Sequence, residues 1–104
     1  MKVNIIEKYG QVVLELKGDL IGGPFAEEMN TLLHKFVDED KKNVVVDLLG
    51  VKFVNSSGIG ILISGYTTMK NAGGELKLAN VNERINGVLS ITKLNQVFER
   101  FDLK

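Results

Sequence analysis

Few residues in this chain could do chemistry. His34 is the only histidine, and the 104 residues include no cysteine. A lone imidazole between Leu33 and Lys35, with no carboxylate cluster beside it, makes a poor metal site. It reads as the edge of an apolar helix face. Asp47 ends an apolar run, where α/β proteins often gather functional groups. An acid there can equally cap the loop that follows. Asp38, Glu39, Asp40, Lys41 and Lys42 read as a solvated charge cluster. "GDLIGG", Gly18 to Gly23, lacks the glycine spacing of a phosphate-binding loop. There remain Ser56 and Ser57 in "FVNSSGIGIL", Phe53 to Leu62. Adjacent hydroxyls can cap a helix; with a base they can act as nucleophiles. No base lies near them in sequence. A small α/β enzyme using Asp47 and Ser56 is therefore the weakest reading, and no metal or cofactor is expected.

The serines follow an apolar, strand-like run and open a helical pattern, which places both at or beside the helix start. Serine is a favoured N-cap, worth about 1 kcal/mol over alanine. A cap explains one hydroxyl and leaves the glycines unexplained. Gly58, Gly60 and Gly65 each cost about 1 kcal/mol against alanine inside a helix, with a smaller share at Gly58 so close to the start. Such a helix gains from close approach, to the sheet beneath or to a partner above. At about 100° per residue, Ile59, Leu62, Ile63, Tyr66 and Met69 form one stripe, the expected core side. Ser57, Ile61, Ser64, Thr68 and Ala72 fall on the opposite side, with Gly65 at its margin. That side is neutral and small. It resembles a docking surface, with Ile61 exposed in the free protein.

The elements that must position this stretch are legible from patterning. "KVNIIEKYG" and "QVVLELKG" read as two short strands joined around Tyr9-Gly10. "GGPFAEEMNTLLHKFVDED" reads as a helix. Pro24 sits in its first turn, and Phe25, Met29, Leu32, Leu33 and Phe36 recur at three-to-four spacing. Val44-Val45-Val46 reads as a strand buried on both faces, as in a parallel sheet. Gly73-Gly74 stops the serine-bearing helix, "ELKLANV" is a fourth strand, and Asn82 caps a third helix through Leu94. "QVFERFDLK" adds a short last strand or a frayed tail. The order predicts a mixed α/β sheet. Thirteen basic and thirteen acidic residues give a net charge of zero. That balance offers no electrostatic case for nucleic acid or a membrane surface. The apolar runs fall short of the roughly 20 residues that span a bilayer, and no signal-peptide core opens the chain. The expectation is a cytoplasmic protein.

"VVVDLLGVKFVNSSGIGIL" resembles the STAS domain family, specifically the bacterial anti-sigma-factor antagonists. That family has an apolar strand, Asp-Leu, a turn, an aromatic residue, then Asp-Ser-Ser/Thr/Ala-Gly-Leu-Gly opening a helix. Val44 to Leu48, Phe53 and Ser56 to Gly60 match it, and so do Gly73-Gly74 before "ELKLANV" and the order of elements in "INGVLSITKLNQVFERF". The resemblance implies a single STAS domain over residues 1–104. Its mixed sheet would have four or five strands, with three or four helices packed mainly on one face. It also implies that a partner serine kinase, itself an anti-sigma factor, phosphorylates Ser56. Unmodified, the chain would bind that kinase and release a sigma factor; a PP2C-type phosphatase would restore the serine. The chain is then substrate and ligand rather than enzyme. The contact is expected to involve Asn55, Ser57, Gly58, Gly60, Ile61 and Ser64. Two positions depart from the family: Asn55 stands for the usual Asp, and Ile21 for a common acid. A STAS scaffold or sensor that binds a protein or small ligand without phosphorylation is the alternative.

Overall fold

The structure is a computed structural model and describes residues 1–8 and 10–100. Strand β1 (Lys2–Lys8) runs antiparallel to β2 (Gln11–Lys17). Helix α1 (Pro24–Asp38) leads to β3 (Asn43–Gly50), then to helix α2 (Ser56–Asn71) and β4 (Glu75–Ala79). Helix α3 (Glu83–Ile91) and a 3-10 turn (Leu94–Gln96) follow. The four strands form one sheet in the order β1-β2-β3-β4, with β3 parallel to both β2 and β4.

The reading of Val44-Val45-Val46 as a doubly covered strand holds. Residues 44–48 of β3 are all buried. Val44, Val46 and Leu48 face the main core with Val12, Leu14, Leu16, Leu76 and Leu78, while Val45 joins Val13 and Ala79 in a smaller cluster. All three helices contribute to the main core: Phe25, Met29, Leu33 and Phe36 from α1, Ile59, Leu62 and Met69 from α2, Ile85 and Leu89 from α3. The helices therefore cover one face of the sheet. Pro24 opens α1, where its missing amide costs no hydrogen bond. Asn82 caps α3, its Oδ1 accepting from the Ile85 amide at 2.8 Å.

The closing segment is less regular than a strand. Leu94–Gln96 forms the 3-10 turn, and a single parallel bridge joins Arg100 to Leu78. Phe98 is buried and meets the Tyr66 ring edge-on at 5.5 Å between centroids. The last part of the expected strand, residues 101–104, lies outside the described residues, as does Tyr9 in the first turn.

Two loops leave the same end of the sheet and position the serines. The β2–α1 loop runs beside the β3–α2 loop as a ragged extension of the parallel pairing. The Gly18 amide donates to the Gly50 carbonyl (3.1 Å), the Leu20 amide to Phe53 (2.9 Å) and the Asn55 amide to Leu20 (3.3 Å). Leu20 and Val54 pair as an isolated bridge and both point into the core.

Candidate functional site

The start of α2 sits on this two-loop platform, and the cap there is not a serine. Asn55 is the N-cap; its Oδ1 accepts from the Gly58 amide at 2.8 Å. Its Nδ2 donates to the Ile21 carbonyl at 3.3 Å. The expectation that a serine caps this helix is corrected. Asn is as good a cap as Ser, and here it also reaches the neighbouring loop. Ser56 and Ser57 become the first two helical residues. Both are exposed, and among the described residues neither hydroxyl makes a hydrogen bond.

The glycines divide into three cases. Gly58 is buried over the β2–α1 loop. A methyl group there would overlap the Leu20 carbonyl oxygen and come within 2.7 Å of its carbon and 2.8 Å of Val54 Cγ2. Gly65 lies between helix and sheet, where a methyl would sit 3.0 Å from Leu33 and 3.2 Å from Leu76. Gly60 is exposed and a methyl would meet nothing within 4 Å. Two glycines thus serve packing, and one does not. In the opposing loop, Gly22 adopts φ +91°, and a methyl there would approach Ser57 Cβ to 2.8 Å. That loop flanks Ser57.

The assignment of helix faces needs correcting. Ile61, expected on the outer side, is 6% exposed and belongs to the main core. Ile63, expected in the core stripe, is 38% exposed. A single stripe suits a helix with one neighbour. Helix α2 has two, the sheet beneath and α1 alongside. Its buried arc runs from Ile61 and Gly65 through Leu62 and Met69 to Ile59, about 160° at 100° per residue. Between α1 and α2 lies an open groove of about 160 Å³, with Ile61, Met29 and Leu33 among its lining and Ser57, Gly60, Ser64, Ala26 and Asn30 along it.

Of the predicted site residues, Asn55, Ser56, Ser57, Gly60 and Ser64 therefore share one end and one side of α2, with Ile61 beneath them and Gly58 buried at the loop junction. Sequence reasoning named Ile21 and Phe53 as motif positions but missed that both side chains are exposed, Ile21 51% and Phe53 42%. Their alternation with buried Leu20 and Val54 was the available signal. From Leu48 to Met69, Lys52 is the only charged residue. Asp47 is a structural acid: its Oδ1 accepts from the Leu49 amide at 3.0 Å and from Asn80 Nδ2 at 2.8 Å. His34 is exposed on α1. Among the described residues, no three His, Cys, Asp or Glu side chains are grouped to hold a metal ion, and no helix is long and apolar enough to cross a membrane.

The model of the STAS domain matches residues 2–104. The chain belongs to the STAS domain family. Among curated relatives, the anti-sigma-B factor antagonist of Bacillus subtilis is 30% identical over 61 residues, 59% of this chain and 56% of that protein. The matches to the first four relatives span 52% to 60% of their lengths. The phosphorylated form of SpoIIAA, a Bacillus cell fate determinant, superposes with a TM-score of 0.75 at 16% identity, covering 99% of this chain and 92% of that one. A sulfate transporter family protein from Wolinella succinogenes superposes equally well, with a TM-score of 0.75 at 18% identity over 88% of this chain and 74% of that one. At these identities the structural likeness establishes the fold, and the STAS fold is the one found in anti-sigma factor antagonists.

Proposed function

We propose that residues 1–104 form one STAS domain that works in the cytoplasm as an anti-sigma factor antagonist, switched off by phosphorylation of Ser56. The observation that carries this reading is the pair of unengaged first-turn hydroxyls. Asn55 does the capping, so neither serine is spent on the fold. Of the two, Ser57 is flanked by Gly22, and Ser56 is the position that the family resemblance assigns to the kinase. The domain acts as substrate and ligand, not as an enzyme. Its partners are an anti-sigma factor that is also a serine kinase and a PP2C-type phosphatase.

The switch follows from charge. A phosphoryl group brings about −1.5 to −2 at neutral pH. At the first turn of α2 it meets the positive end of the helix dipole, so the fold tolerates it. Across an interface formed by Asn55, Ser57, Gly60 and Ser64, in a stretch whose only charge is Lys52, that dianion would have to be desolvated. Partner binding is then lost while the fold is kept.

A second reading, a STAS scaffold or sensor without phosphorylation, is favoured by the departures at Asn55 and Ile21. Affinity capture from native lysate, followed by incubation with ATP and mapping of the modified residue, separates the two. The leading reading expects capture of an ATP-binding serine kinase and phosphate on Ser56, absent in Ser56→Ala. Phosphate on the Ser56→Ala variant at the wild-type extent would overturn it.

A further inference from the structure

We propose that Asn55 is a positioning residue whose carboxamide clasps the β2–α1 loop to the first turn of α2, so that the amide, and not the family's acid, is what this loop requires. The inference rests on the reading of Ser56 as the switch only for its functional consequence; the clasp itself is a property of the isolated chain.

Both ends of the carboxamide are used. Oδ1 accepts from the Gly58 amide at 2.8 Å, and Nδ2 donates to the Ile21 carbonyl at 3.3 Å. The two contacts fix the amide's orientation, because a flipped side chain would set two donors and two acceptors against each other. An aspartate keeps the first contact and loses the second. An ionised carboxylate only accepts, so its second oxygen would face the Ile21 carbonyl oxygen. The same loop is gripped at two further points: the Asn55 amide donates to the Leu20 carbonyl at 3.3 Å, and Gly58 packs against that carbonyl. The two positions that depart from the family pattern, 21 and 55, are therefore joined through the side chain of one and the backbone of the other.

The clasp sets what the partner meets. Leu20 and Val54 pair inward, and the residues that alternate with them, Ile21 and Phe53, are half exposed. The Ile21 carbonyl is held by the Asn55 amide and the Phe53 carbonyl by the Leu20 backbone amide, so each presents an apolar side chain from ordered backbone that costs little ordering on binding. Restoring the acid at position 55 loosens the loop that presents Ile21.

The test uses the isolated protein: amide hydrogen exchange at Leu20 and Gly58, and backbone order at Ile21 and Gly22, in wild type, Asn55→Asp and Asn55→Ala. Asn55→Asp is expected to speed exchange at Leu20 at least tenfold and lower order at Ile21 and Gly22, with exchange at Gly58 within about threefold of wild type because the cap remains. Asn55→Ala speeds exchange at both sites. Unchanged Leu20 exchange and Ile21 order in Asn55→Asp would overturn the clasp. A second arm titrates the kinase captured above: Asn55→Asp and the uncharged Asn55→Ser, which keeps a cap acceptor and lacks the amide donor, each weaken its binding at least fivefold at nearly unchanged melting temperature. Tighter binding by Asn55→Asp would overturn the positioning role. Failure to capture a kinase counts against the proposed function and leaves the first arm decisive for the clasp.

Discussion

The inner and outer sides of α2's first two turns differ in what their small residues do. On the inner side, Gly58 is small because the Leu20 carbonyl lies where a side chain would go, and Ile61 is buried in the core at the floor of the groove between α1 and α2. On the outer side, Gly60 has open space above it, and Ser56, Ser57 and Ser64 are exposed beside it. The inner side is accounted for by packing. The outer side is not, and a helix that keeps an unneeded glycine and two unengaged hydroxyls there gives up stability for something other than its own fold.

Substitutions can break this contrast, and the largest effect belongs to the inner side. Ile61→Lys removes a buried side chain worth about 2–5 kcal/mol and sets an ammonium against the core. It is expected to unfold the domain or lower its stability by at least about 4 kcal/mol in urea titration, whereas Ile63→Lys should cost less than about 1 kcal/mol. The reverse order, with Ile63→Lys the costlier change, would return the helix faces to the single-stripe arrangement. Gly58→Ala comes next. Overpacking typically costs about 1–3 kcal/mol, and here the overlap is with backbone, so a loss near 3 kcal/mol is expected in the same titration. A loss below about 1 kcal/mol would mean that the Leu20 loop yields readily.

Asn55→Ala sharpens the comparison at the boundary between the two sides. Losing the cap should cost about 1–2 kcal/mol, read as a drop in melting temperature, while Ser57→Ala should leave it nearly unchanged. The reverse order would restore a serine as the cap. The smallest effect has the opposite sign. Gly60→Ala should stabilise the domain by up to about 1 kcal/mol, raising the melting temperature by about 4–8 °C, and should weaken partner binding. Destabilisation would show that Gly60 serves the fold after all.

Much of this architecture was legible from residue patterning. The run of valines in β3, Pro24 at the start of α1 and Asn82 before α3 each follow from a local rule, and the structure places them accordingly. The position of the serines at the start of α2 was equally readable. What was not readable was non-local. Asn55 became the cap because its side chain has a second partner, Ile21, 34 residues away in sequence. Ile61 and Ile63 exchanged places because α1 packs beside α2, and a helical wheel carries no information about a second neighbour. The separate roles of Gly58 and Gly60 depend on whether another chain segment passes overhead, which a two-residue spacing cannot reveal.

The central claim is that charge at Ser56 removes partner binding without removing the fold. It is tested most directly by installing phosphoserine at position 56 during synthesis and comparing it with the unmodified protein, in calorimetric titration against the captured anti-sigma factor and in thermal melting. The phosphorylated protein is expected to melt within about 4 °C of the unmodified one, equivalent to less than about 1 kcal/mol. Its affinity is expected to fall at least tenfold, about 1.4 kcal/mol or more. Equal affinity of the two forms, with both folded, would contradict the claim.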